Sequence, residues 1–336
     1  MRITTNMIMR NYQSSLYNNM GGLESARKQV DTQMRISAAY EDPGAAANAS
    51  VLKARYARNE DYRNNLESVQ KWFDEQESAV YQVGQIATKI ADKYSVEAVT
   101  DTTSEEGRDT YAEQLRNLQN TMVQFLNSKF GDSFVLGGNG GTEEAPFQLS
   151  DDGKTLLYRG VDVNDPDPAV QAELDRLAAE TSYVDIGYGM TFDQAGNIVP
   201  STALDAGLPG INAVGYGHTA DGTSKNLILL TGQMAELLEA DTFDREEYEK
   251  LWTQFQEGAD ELQDSLTKIG TKANMVETTL GKLEDEKIAL QDQFNNEIGI
   301  DPALAITNYS YAMYTYNSAL KIGTGILGPS LLDFLA

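Results

Sequence analysis

The chain has 336 residues, with 26 Lys and Arg against 51 Asp and Glu, a formal net charge of −25. That balance sets nucleic acid and anionic membrane surfaces aside as partners. There is no Cys and one His, His218, so disulfides, Cys-based metal sites, thiol catalysis and multi-His metal centres are excluded.

The N-terminus, MRITTNMIMR, has no apolar block of signal-peptide length. No apolar run reaches the ~18 residues of a membrane span. The expectation is a cytoplasmic protein or one exported without a cleaved signal. Met9, Leu16, Leu23 and Val30 then recur every seven residues, with Tyr12 and Ala26 at the partner spacing. This predicts one helix from about Asn6 to Ala39 with a single narrow apolar seam. Its other faces are Asn, Gln, Arg and Ser, so it needs a partner.

AAYEDPGAAANAS follows, and after it a stronger pattern. Tyr62, Leu66, Val69, Phe73, Gln76, Val80, Val83, Ala87, Ile90 and Tyr94 alternate spacings of four and three, a coiled-coil-like seam. VTDTTSEEG breaks the helix and offers caps. Tyr111, Leu115, Leu118, Met122 and Phe125 then resume the rhythm as far as KFGDSF.

From Leu136 to Ser224 the character changes. FQLSDDGKTLLYRG reads as two strands about an Asp-Gly turn, TFDQAGNIV as a second pair, and AVQAELDRLAAE as a short helix. Helix returns at about Lys225. A long helix from about Phe243 carries Leu262, Leu266, Ile269, Ala273, Val276, Leu280, Leu283, Leu290 and Phe294, with Lys287 off pattern. Asp301-Pro302 then repeats Asp42-Pro43. Asp is a good N-cap, Pro suits the first helical turn, and Pro disfavours helix at the residue before it. Each pair therefore marks a joint between two helices, and the two terminal segments are expected to pair.

The predicted fold is mainly α: a long coiled-coil-like helical bundle with paired N- and C-terminal helices and an inserted small β-rich domain. The expected division is 1–41 with 302–336 as an assembly-dependent inner layer, 42–140 with 225–301 as the core bundle, and 141–224 as a β-rich outer domain.

Chemistry-bearing motifs are weak. LGGNGG lacks the Lys-Ser/Thr of a phosphate loop, and GYGHTA is followed by DGTSKN rather than a helix opening. VDVNDPD lacks the spacing of a calcium loop. His218 has no nucleophile beside it. No catalytic residue, cofactor site or metal site is expected. The Tyr-rich run holds Tyr309, Tyr311, Tyr314 and Tyr316, spread over several faces of one helix. With Leu304 and the tail Leu331, Leu332, Phe334 and Leu335, it reads as an assembly interface.

The two ends carry a resemblance. MRITTN, a seven-spaced helix, RIS and EDPGAAA resemble the start of flagellin-superfamily proteins, and GPSLLDFLA is similar to the ending of that superfamily's hook–filament junction branch. Pro43 and Asp333-Phe334 stand where filament flagellins usually differ. Gln33-Met34 replaces the usual Ser-Gly before Arg-Ile, and Glu41-Asp42 replaces Asp-Asp. VDIGYGMTFDQAGN resembles middle segments of some flagellins, which keeps a filament role open. A more distant alternative is a secreted adhesin with a helical stalk and a β head.

The resemblance implies a structural, non-enzymatic subunit of the bacterial flagellum. It implies type III export without a cleaved signal and extracellular placement at the hook–filament junction. The implied partners are hook-associated protein 1, flagellin, further copies in a ring, and an export chaperone before secretion. It also implies terminal segments that order only on assembly.

Overall fold

The computed structural model describes residues 5–100, 104–139, 144–187 and 189–332. In chain order, α1 (Thr5–Thr32) is followed by α2 (Pro43–Lys89), a π-helical turn (Ile90–Tyr94), α3 (Ser95–Ala98) and α4 (Glu105–Leu126). Strands β1 (Lys129–Phe130), β2 (Ser133–Phe134), β3 (Phe147–Leu149), β4 (Leu156–Tyr158) and β5 (Val161–Asp162) lead to α5 (Pro168–Ala178). Then come β6 (Tyr183–Val184), a 3-10 turn (Pro200–Thr202), β7 (Leu204–Asp205), α6 (Ile211–Val214), α7 (Leu227–Glu239), α8 (Arg245–Ile298) and α9 (Pro302–Leu332). The residues cluster into two compact units, one of both chain ends as far as Asp61 and from Glu284, the other Tyr62–Leu283.

In the Tyr62–Leu283 unit, the four-three seam of α2 is the core. Leu66, Val69, Phe73, Gln76, Val80, Val83, Ala87 and Ile90 are all buried. Leu262, Ile269, Val276 and Leu283 of α8 are buried too. Gln76 fits an apolar seam because its Nε2 donates to the Val135 carbonyl at 2.7 Å. The rhythm ends in the π-helical turn. There the Trp252 indole N–H donates to the Ala91 carbonyl at 3.1 Å, a side-chain bond at an irregular point in the helical ladder.

α4 starts where the Ser104 side chain accepts from the Gly107 N–H. Its buried face is Ala112, Leu115, Gln119, Met122 and Leu126, one residue on from the predicted Tyr111, Leu118 and Phe125 and in register at Leu115 and Met122. α7 explains the shift. It is buried along most of its length, as an all-round apolar helix must be, and it packs against α4. Gln119 fits this contact because its Nε2 donates to the carbonyls of Gly153 and Ile228, both at 2.9 Å.

The predicted Asp-Gly hairpin is β3–β4, antiparallel, with Phe147 opposite Tyr158 and Leu149 opposite Leu156; β5 joins as the third strand. TFDQAGNIV closes with a single bridge between Phe192 and Ile198 rather than a strand pair. Phe147, Leu156 and Tyr158 point into the same core as α2, α4, α7 and α8. The β segments are thus too short and too inward-facing to own a separate core.

The terminal unit begins with α1, which stops at Thr32 rather than near Ala39. Gln33 closes it in the left-handed region, at φ 55°. A non-glycine residue there costs about 1 kcal/mol. Gln33→Gly is therefore expected to stabilise this turn by up to about 1 kcal/mol, measured as slower hydrogen exchange at the Ile300 amide, which donates to the Gln33 carbonyl.

Candidate assembly interface

Both Asp-Pro joints lie in the terminal unit, and the chain brings them side by side. Asp42 Oδ1 accepts from the Ala45 N–H at 3.1 Å and Asp301 Oδ1 from the Ala303 N–H at 2.7 Å. Each is the side-chain cap that a helix start requires; Pro43 and Pro302 open α2 and α9. Met34 bridges Gly299 as an antiparallel pair, with Arg35 N–H donating to the Ile298 carbonyl at 2.6 Å and Ile300 N–H to that of Gln33 at 3.1 Å. Arg35 Nη2 then donates to Asp42 Oδ2 at 3.2 Å and to the Glu297 carbonyl at 3.1 Å. Beneath it Ala45, Ala49 and Ile298 form a small buried cluster with Met34, Ile36 and Phe294 against it.

The joint carries two carboxylates held below their ordinary range. Hydrogen bonds from the Ser37 backbone and hydroxyl lower Glu41, and those from Ala45 and Arg35 lower Asp42. A carboxylate lowered in the folded state contributes stability above its unfolded value and loses it as pH falls. The joint is therefore expected to loosen on acidification below about pH 4. The protection factors of the Arg35 and Ile300 amides, corrected for the intrinsic exchange rate at each pH, would then fall below their neutral-pH values. Asp42→Asn should flatten much of that dependence.

Beyond the joints, α1 packs along α9. On α1, Met9, Leu16, Leu23 and Val30 are half-buried, as is Tyr12, and Ala26 is buried. Gly323 permits the close approach: a Cβ there would collide with the Tyr12 ring. The aromatic run divides. Tyr309 and Tyr316 are half-buried, whereas Tyr311 and Tyr314 are 74% and 72% exposed. Leu304 is exposed as well, with Ile306, Met313, Leu320 and Ile322 on α9 and Met7, Ile8, Tyr17 and Met20 on α1. Leu331 and Leu332 belong to the α9 backbone, but their side chains lie outside the described residues, as do Phe334 and Leu335 altogether.

The two helices thus spend one stripe on each other and leave large apolar side chains on the rest. These side chains are large, apolar and exposed on both helices. Charge follows the same division. The Tyr62–Leu283 unit has 38 Asp and Glu against 16 Lys and Arg, whereas the terminal unit has 13 against 10. Among the described residues no helix is long and apolar enough to cross a membrane, and no group of three or more potential metal ligands occurs.

Paired terminal helices, long seamed helices and a small β region make up a mainly α, flagellin-like fold. Residues 3–139 match the model of the bacterial flagellin N-terminal helical region. Flagellar hook-associated protein 3 of Salmonella typhimurium is 24% identical over 340 residues, covering 99% of each chain. The structure of a flagellar hook-associated protein from Vibrio parahaemolyticus covers 77% of this chain and 100% of its own, with TM-score 0.60 and 12% identity. That of flagellar hook-associated protein-3 from Legionella pneumophila covers 74% and 98%, with TM-score 0.51 and 14% identity. These two structures share the fold. The N-terminal part of the chain is thus similar to the flagellin N-terminal helical region, and the whole chain is similar to hook-associated protein 3 of Salmonella typhimurium.

Proposed function

We propose that the chain is a structural subunit of the hook–filament junction of the bacterial flagellum. The observation that carries this reading is the α1–α9 pair. It exposes apolar residues on faces that one chain cannot cover, in a sequence related end to end to hook-associated protein 3. The inner layer is 1–41 with 302–336, the wall is 42–140 with 225–301, and 141–224 forms the outer part of that wall while sharing its core. Met9, Leu16, Leu23 and Val30 pair the ends. Leu304, Tyr309, Tyr311, Tyr314, Tyr316 and the tail Leu331, Leu332, Phe334 and Leu335 meet neighbouring subunits. Asp42, Pro43, Asp301 and Pro302 set the angle between the layers.

In this reading the subunit leaves the cell by type III export without a cleaved signal, accompanied inside by a chaperone that shields the apolar tail. Copies form a ring on hook-associated protein 1 and present a seat for flagellin. No step is chemical: the work is geometric, and burial of the terminal apolar surface offsets the entropy of ordering the ends. Immuno-electron microscopy of intact cells tests the position. A band at the distal end of the hook is the expected result. Label along the whole filament would make the chain a filament flagellin instead.

A further inference from the structure

In an acidic chain, unpaired cations stand out. On α2, Arg55 and Arg58 are exposed and make no ion pair among the described residues. Arg58 makes only a 3.4 Å bond to the carbonyl of Ala54 in its own helix. Val51 lies one turn before Arg55 on the same face and is 53% exposed. The spacing 51, 55, 58 keeps the three in one row. The row borders a groove of about 400 Å³ lined in part by Asn48, Leu52, Asn296 and Glu297. The one carboxylate in that lining, Glu297, accepts from Asn48 Nδ2 at 2.9 Å and forms no ion pair with either arginine.

The same unit carries the complement. On α8, Asp285 and Asp292 are exposed and likewise make no ion pair among the described residues. Ile288, between them on the same face, is 53% exposed. The buried seam of α8 here is Leu290 and Ile298 with Phe294 beside it, so the acidic row faces away from α2. Each row spans eight residues, about 10 Å of helix. One joins an apolar side chain to two cations, the other an apolar side chain to two anions.

We propose that the Val51–Arg55–Arg58 row of one copy docks on the Asp285–Ile288–Asp292 row of the next. The two surfaces differ, so the contact is heterologous: each copy offers both halves, and repetition builds a ring or helix rather than a closed dimer. Opposed charge fixes register and rejects a like row. The inference rests on the assembly reading above and deepens it by naming the side-to-side contact.

The absence of Cys makes a clean test. The full chain carrying Val51→Cys and Ile288→Cys is produced as the sole copy. Sheared flagella are then treated with a short bismaleimide, with each single variant as control. The expected result is a ladder of multimers beyond dimer in the double variant alone. Adding Arg55→Glu and Arg58→Glu should reduce the ladder about tenfold or more, and adding Asp285→Lys and Asp292→Lys to that chain should restore it. Monomers or dimers only, from a chain present in the flagella, would overturn the contact. A ladder indifferent to the charge reversals would overturn its electrostatic basis. Absence of the chain from flagella would overturn the assembly reading, and the contact with it.

Discussion

Removing 302–336 is expected to abolish incorporation into the flagellum while leaving Tyr62–Leu283 folded. The core of that unit draws on α2, α4, α7, α8 and the β segments, none of which lies in the deleted stretch. α1 is different. Its seam faces α9, and the rest of its surface is polar apart from exposed Met7, Ile8, Tyr17 and Met20. A narrow-seamed helix without its partner is marginal in water. The expected readout is a purified truncated chain whose Tyr62–Leu283 amides are protected as in the full chain, but which is absent from isolated flagella. In cells, swimming should be lost. A truncated chain that still supports normal filaments would refute the assembly role of α9.

The second large effect is expected inside the other unit. Phe73 is 1% exposed and packs with Leu66, Val69, Val276 and Leu283. Phe73→Ala removes an entire buried aromatic ring and leaves a cavity that α2 and α8 cannot close without breaking their own seams. The cost is about 3–5 kcal/mol, measured by denaturant unfolding as a lower midpoint. The α1–α9 pair shares no side chain with this cluster, so exchange over 5–32 should change little at low denaturant. A loss below about 1 kcal/mol would mean the seam is looser than its burial implies.

The sequence made the long seams legible because heptad spacing is a local signal repeated many times. Leu66 through Ile90 are buried in the rhythm in which they were read; on α8 Leu262, Ile269, Val276 and Leu283 are buried, whereas Leu266, Ala273 and Leu280 are half-buried and Ser265 and Thr279 are buried beside Leu266 and Leu280. Lys287, the one break in α8, has a local cause that spacing does not carry. Its Nζ lies 2.7 Å from Glu60 Oε1 and 5.9 Å from the Tyr56 ring centre. The offset of α4 was hidden because Ala112 and Gln119 are not large apolar residues. What buries them is a tight contact with α7, which a one-helix pattern does not report.

The ends show the same divide. Asp42-Pro43 and Asp301-Pro302 were readable as joints because capping is local chemistry. That Arg35 ties one joint to the other follows from contacts more than 260 positions apart in the chain, which no spacing rule reaches. Nor did the tyrosine run disclose its division. Tyr309 and Tyr316 turn toward α1 while Tyr311 and Tyr314 face out, and only the register of the pair decides which. The charge segregation was present in the sequence from the outset, but it acquires meaning only once the two ends are known to form one unit.

Hydrogen–deuterium exchange on the full chain, free in solution and again in isolated flagella, bears most directly on the claim that the ends are stabilised by assembly. The account predicts fast exchange over 5–32 and 302–332 in the free subunit and strong protection of both in flagella, with the Tyr62–Leu283 core protected in each. Equal protection of α1 and α9 in both states would contradict it.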